Sequence, residues 1–128
     1  MIGSSRAVRV FAYTGPVDMR KSYEGLGALV RNDLGRDVLS GELYLFTNRR
    51  RTRAKVLLFD GTGLCIYMKR IDKGQFAKLW GDERDGERAL SLTTSELSLF
   101  LEGSDLVGRR RLSPPALTQQ DLVVSLPM

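Results

Sequence analysis

The chain has 128 residues, 42% of them hydrophobic, with one cysteine, no histidine and a net charge of +5 at pH 7. That length supports one domain with a sizeable core. Without histidine the usual general base and transition-metal ligand are missing, a lone cysteine excludes an intramolecular disulfide and a structural zinc site, and the positive balance suits an acidic partner such as nucleic acid.

No apolar run is long enough to span a membrane, and the first six residues lack the apolar core of a signal peptide, so a cytoplasmic protein is expected. Residues 1–6 read as a flexible N-terminus, 7–105 as a single domain and 106–128 as a mobile tail.

Ala7–Tyr13 is strand-like, with Val8, Val10 and Ala12 on one side and Arg9, Phe11 and Tyr13 on the other, and it ends at the turn Thr14-Gly15-Pro16. Asp18 stands where an N-cap is expected. Met19, Tyr23, Leu26, Val30 and Leu34 then recur at helical spacing, which predicts a helix over Met19–Leu34 stopped by Gly35. Gly25 and Gly27 inside it cost about 1 kcal/mol each relative to alanine, which implies either close packing of the helix on a sheet or a break.

After the connector Asp37–Gly41, the runs Leu43–Phe46, Ala54–Phe59 and Leu64–Lys69 read as three strands. The last two flank Asp60-Gly61-Thr62-Gly63, a hairpin signal because glycine supplies the positive φ such turns require. The three strands are expected to form a meander. In the tightest register Leu57 and Phe59 share a face with Leu64, Ile66 and Met68, while Val56 and Leu58 share the other with Cys65 and Tyr67. Both faces are apolar, so one packs on helices and the other needs a cover: the tail, another strand or a second subunit. A homodimer is an expectation on that ground.

The loop Thr47–Arg53 is the anomaly. Arg49, Arg50, Arg51, Arg53 and Lys55 place five cations in seven positions with no acid among them. A solubilising loop tip is the ordinary explanation. A phosphate-contacting finger is favoured, because arginine's planar fork matches phosphate and four such forks exceed what solubility requires. Lys69 and Arg70, at the same end of the hairpin, extend the patch.

Asp72–Gly86 reads as an irregular solvated loop with an acidic crest from Asp82 to Glu87, interrupted by Phe76, Leu79 and Trp80, of which Phe76 and Trp80 suit core anchors better than base-stacking platforms. Ala89–Leu92 reads as a strand. Thr93-Thr94-Ser95-Glu96 is a capping box opening a helix over Thr94–Glu102, with Leu97, Phe100 and Leu101 on its buried face and Gly103 closing it. The tail carries Arg109-Arg110-Arg111 and Ser113-Pro114-Pro115. No catalytic arrangement assembles: Asp18, Asp60, Asp72 and Asp105 each have a local role as cap, turn, loop or helix-end residue, and Cys65 lies in an apolar run. No cofactor is indicated, and the chain reads as a non-enzyme.

The ordered set Asp18-Met19-Arg20, Gly25-Leu26, Ser40-Gly41, Leu43, Phe46, Asn48-Arg49-Arg50, Lys55, Asp60-Gly61-Thr62-Gly63, Lys69-Arg70, Gly74 with Phe76, and Leu101-Glu102-Gly103 resembles the TnpB accessory protein of IS sixty-six type insertion sequences. The resemblance covers roughly Val8 to Asp105. It departs at Phe59, where the family often has Trp, and at Ala77-Lys78, where it often has Trp-Pro. The longer RNA-guided nucleases share only the TnpB label. The resemblance implies a small protein encoded beside a separate transposase and needed for transposition, without known catalysis of its own.

The expected fold is α+β: a mostly antiparallel meander sheet of about five strands with two helices packed on one face. The expected function is a non-catalytic accessory factor of DNA transposition that binds nucleic acid through Arg49, Arg50, Arg51, Arg53, Lys55, Lys69 and Arg70. The alternative is a module that docks on the transposase through the same loop. Asp18, Met19, Arg20 and Asn48 are motif residues whose role the sequence leaves open between structure and function.

Overall fold

The computed structural model describes residues 8–81 and 88–103. The expected N-terminal segment, the acidic crest and the tail beyond residue 103 lie outside those residues. The elements run β1 (Val10–Pro16), α1 (Tyr23–Ala28), a π-helical segment (Leu29–Asp33), β2 (Leu43–Thr47), β3 (Arg53–Phe59), β4 (Leu64–Arg70), β5 (Ala89–Leu92) and α2 (Thr94–Leu101).

One five-stranded sheet has the order β4-β3-β2-β1-β5. Strands β2, β3 and β4 form the expected antiparallel meander, in the tightest register: Phe59 opposes Leu64, Leu57 opposes Ile66 and Val56 opposes Tyr67. The Asp60 carboxylate fixes that register by accepting from the Thr62 and Gly63 amides at 2.9 and 3.0 Å, and Gly61 takes φ +106°. Those amide bonds hold its pKa down at about 2.

The first strand departs from a simple meander. It pairs parallel with β2 and antiparallel with β5, so the sheet is mixed. A parallel pair needs a crossover of a dozen or more residues, and the stretch containing α1 provides it. The helices also occupy opposite faces, a correction to the expected one-sided arrangement. Leu26 and Val30 of the crossover pack with Phe11, Tyr44, Phe46 and Leu57. On the other face Leu97 and Phe100 of α2 pack with Val10, Ala12, Leu45, Val56, Leu90 and Leu92, together with Phe76 and Leu79. Both faces of a central strand such as β1 are apolar, and each therefore recruits its own cover. Because α2 and residues 76–79 cover the second face, it gives no reason to expect a second copy there.

The first helix begins later than expected. The Asp18 carboxylate accepts from the Arg20 amide at 2.9 Å, and its carbonyl accepts from Lys21 N–H at 3.0 Å, so residues 18–21 close a local turn instead of opening the helix. Ser22 is the N-cap residue, and its side chain makes no cap bond. Asp18 is therefore not the cap. Tyr23, placed in the apolar stripe by spacing, is 47% exposed. The wide turn after Ala28 is closed by Leu34 N–H to Leu29 O at 3.1 Å. At its end Asp33 accepts from Tyr13 Oη at 2.6 Å and lies 3.5 Å from Arg88. Gly35 ends the segment at φ +64°, as expected.

Close approach to the sheet explains neither helical glycine. A β-carbon on Gly25 meets the Lys21 side chain at 3.0 Å, whereas one on Gly27, though buried, meets nothing within 4 Å. Gly27→Ala is therefore expected to stabilise the fold by about 0.5–1 kcal/mol by lowering unfolded-state entropy, raising the urea midpoint at constant slope. A lower midpoint would show that the helix needs glycine's backbone freedom there.

Candidate nucleic-acid interface

The arginine loop between β2 and β3 is built around Asn48. Its Oδ1 accepts from the Thr52 and Arg53 amides at 2.9 and 3.0 Å, and its Nδ2 donates to Thr52 Oγ1 at 3.2 Å. Asn48 is thus the loop's keystone. Arg51 takes the left-handed conformation, φ 60°, rare for a residue with a β-carbon.

A second segment braces the loop from beside it. Ile71 N–H donates to Thr52 O at 2.9 Å and Phe76 N–H to Arg51 O at 2.7 Å. Gln75 Nε2 reaches Arg50 O at 2.9 Å. Phe76 anchors this segment: it is fully buried and its ring stacks on Phe100 with centroids 5.0 Å apart. Phe76 and Trp80 are core anchors, as expected: Phe76, Ala77 and Leu79 enter the core and Trp80 packs against it, so residues 76–80 are not the solvated loop expected of this stretch.

This bracing reassigns several cations. The Arg51 guanidinium donates to Phe76 O and Gln75 Oε1, each at 3.2 Å, so it ties the loop to its brace. Lys55 is only 9% exposed; its aliphatic stem is buried and its Nζ donates to Lys21 O at 2.7 Å, fastening the 18–21 turn to the sheet. Lys69 Nζ donates to Leu101 O at 2.6 Å, satisfying a carbonyl at the C-terminus of α2. Each of these three cations thus makes a hydrogen bond to a carbonyl within the fold. Arg49, Arg50, Arg53 and Arg70 are exposed.

Among the described residues, Arg9 and Arg36 reach Glu42, Arg20 reaches Asp18, Arg51 reaches Phe76 and Arg88 reaches Tyr13. Arg31, Arg49, Arg50, Arg53 and Arg70 reach no acceptor among these residues. Four of those five belong to the loop or sit opposite its end, since Arg53 and Arg70 are cross-strand partners.

Two motifs thirty positions apart in sequence meet beside this loop. Val17 N–H donates to Thr47 O at 2.9 Å, which lays the chain after β1 against the start of the loop. Pro16, Asp18, Met19, Asn48, Arg49 and Arg50 then line one open concavity of about 430 Å³. Arg20 grips Asp18, Nη2 to Oδ2 at 2.7 Å, and those side-chain hydrogen bonds, with the amide bond, lower the Asp18 pKa to about 2. Asp18 therefore stays an anion neutralised by its own neighbour. The pair is 90% and 46% exposed, so it orients Arg20 more than it stabilises the fold.

A family model described as IS66 Orf2 like protein matches residues 8–111. The chain belongs to the IS66 Orf2-like family. Two uncharacterized proteins of Sinorhizobium fredii, y4hO and y4jC, are each 35% identical to it over 105 residues, covering 82% of this chain and 88% and 86% of theirs. No solved structure matches. The family motifs now acquire places: Asp18-Met19 and Asn48-Arg49-Arg50 share the concavity, and Gly74-Gln75-Phe76 is the brace under the arginine loop. Gln75 is the residue that sequence reasoning missed. Its only signal was its place inside the Gly-x-Phe spacing.

The remaining candidates are local. Cys65 is partly buried beside the hairpin turn, where burial first and then the Asp60 carboxylate push its thiol pKa up, away from reactivity. No helix of the described residues is long and apolar enough to cross a membrane.

Proposed function

We propose that this IS66 Orf2-like protein is a non-catalytic accessory factor of DNA transposition that grips nucleic-acid phosphates with Arg49 and Arg50, aided by Arg53 and Arg70. Family membership supports the accessory role. The observation that carries the binding reading is the distribution of arginines that reach no acceptor among the described residues: all of these but Arg31 gather at one end of the sheet, on or opposite a loop held by Asn48 and Gln75. A braced loop presents its guanidinium groups with little ordering cost, which is what phosphate positioning needs. Lys55, Lys69 and Arg51 serve the reading indirectly by holding that end of the sheet together. The transposase of the same element is the proposed protein partner. A second copy of the chain is the other proposed partner, pairing along the outer edge of β4, where Tyr67 and Met68 are about half exposed.

Arg50→Ala tests the reading. Log affinity for a DNA duplex is expected to fall less steeply with log salt by about one unit, for every sequence alike, because one phosphate contact is lost. Thermal stability stays unchanged, since the side chain is exposed and reaches no acceptor within the described residues. If duplex binding and its salt slope hold while capture of the transposase disappears, the loop recognises protein carboxylates and the nucleic-acid reading is wrong.

A further inference from the structure

Arg53 and Arg70 are direct partners in the β3–β4 ladder. One step beyond them, Ile71 N–H donates to Thr52 O at 2.9 Å. Hydrogen-bonded and non-bonded pairs alternate in an antiparallel ladder, so Arg53 and Arg70 occupy a non-bonded pair, where side chains stand closest, at about 4.5 Å between Cα atoms. Like charges directly opposite are destabilising.

Neither arginine has an ion-pair partner among the described residues. The residues alternating with them on the same face are Lys55, Leu57 and Phe59 of β3 and Leu64, Ile66 and Met68 of β4, with no acid among them. Asp72, the next acid along the chain, forms no ion pair with either arginine. Lys55 adds a third positive charge to the face and spends its hydrogen bond on Lys21 O. Solubility alone needs no such juxtaposition.

We infer that Arg53 and Arg70 together clasp a single backbone phosphate, as a second anchoring point beside the loop arginines Arg49 and Arg50. This rests on the nucleic-acid reading given above and adds what that reading lacks: two guanidinium groups sharing one phosphate. Two forks converging on the two non-bridging oxygens of one phosphodiester turn a repulsive pair into a chelating one.

The test uses the full chain and a labelled DNA duplex titrated across salt concentrations, with R53Q, R70Q, the double variant, R70K and R50Q. Each single glutamine variant is expected to lose about tenfold in affinity but little salt slope, because the remaining fork still neutralises the shared phosphate. The double variant loses about one unit of slope in all, because that one phosphate is then released. R70K keeps the slope and loses part of the affinity, since it retains charge without the fork. Without DNA, R70Q melts slightly higher than the parent, which also shows that the variant folds. A double variant that loses two units means two separate phosphates and overturns the clasp. Should R50Q flatten the slope while R53Q and R70Q bind as the parent does, the clasp alone fails and the functional reading stands. If R50Q is silent too, both fail. Loss of transposase capture with duplex binding intact in R53Q and R70Q makes the shared ligand a carboxylate and also overturns the proposal.

Discussion

Phe76→Ala is expected to destabilise the protein by about 3–5 kcal/mol, the range for truncating a fully buried aromatic side chain. The ring is completely buried and stacked on Phe100 with an interplanar angle of 11°, so its removal opens a cavity between α2 and the sheet. Domains of this size have roughly 5–15 kcal/mol in all, and a large share of it disappears. The loss reaches the interface as well. The Phe76 backbone accepts from the Arg51 guanidinium and donates to Arg51 O, so a displaced residue 76 releases the loop it braces. Urea unfolding is the direct measurement, with Phe76→Leu losing less because it refills most of the volume. Equal losses for the two variants would place the stability in the aromatic stack and not in filled volume.

Asn48→Ala is expected to cost about 2 kcal/mol, because it strands two backbone N–H groups in a partly buried loop at about 1 kcal/mol each. Arg51 holds its left-handed conformation only while its surroundings enforce it, so the loop also loses its shape. Asn48→Asp separates shape from charge. Its carboxylate still accepts from both amides, so stability stays within about 1 kcal/mol of the parent. It also places an acid beside Arg49 and Arg50, so duplex affinity falls. Calorimetry paired with binding checks both variants. An Asp variant as unstable as the Ala variant would show that the Nδ2 bond to Thr52 is what matters.

Phosphate contacts and loop shape are easily confused in such experiments, and the residues separate them. Arg50 reaches no acceptor among the described residues, so its loss touches binding alone. Asn48 and Phe76 carry no charge, so their loss touches binding only through shape.

Much of this arrangement was legible in the residues. The Asp60 to Gly63 turn dictates the β3–β4 register, because turn type and loop length fix the pairing of a hairpin. Thr93 and Glu96 form the expected capping box, at 3.1 and 2.9 Å, because reciprocal side-chain bonds of that kind are local in sequence. The family motifs were readable for the same reason. What reached beyond neighbours was decided by the fold. Only the assembled sheet fixes that β1 lies parallel to β2 and that the two helices cover opposite faces, since strand patterns state which residues are buried and not what buries them. The fate of the cations was hidden likewise: Lys55, Lys69 and Arg51 look like Arg49 and Arg50 in a list of charges. A carbonyl of a distant segment, at Lys21, Leu101 or Phe76, claims each of the first three and leaves the others exposed. Charge is a property of the sequence, but whether it is spent inside the fold depends on which carbonyl the tertiary structure brings within hydrogen-bond reach.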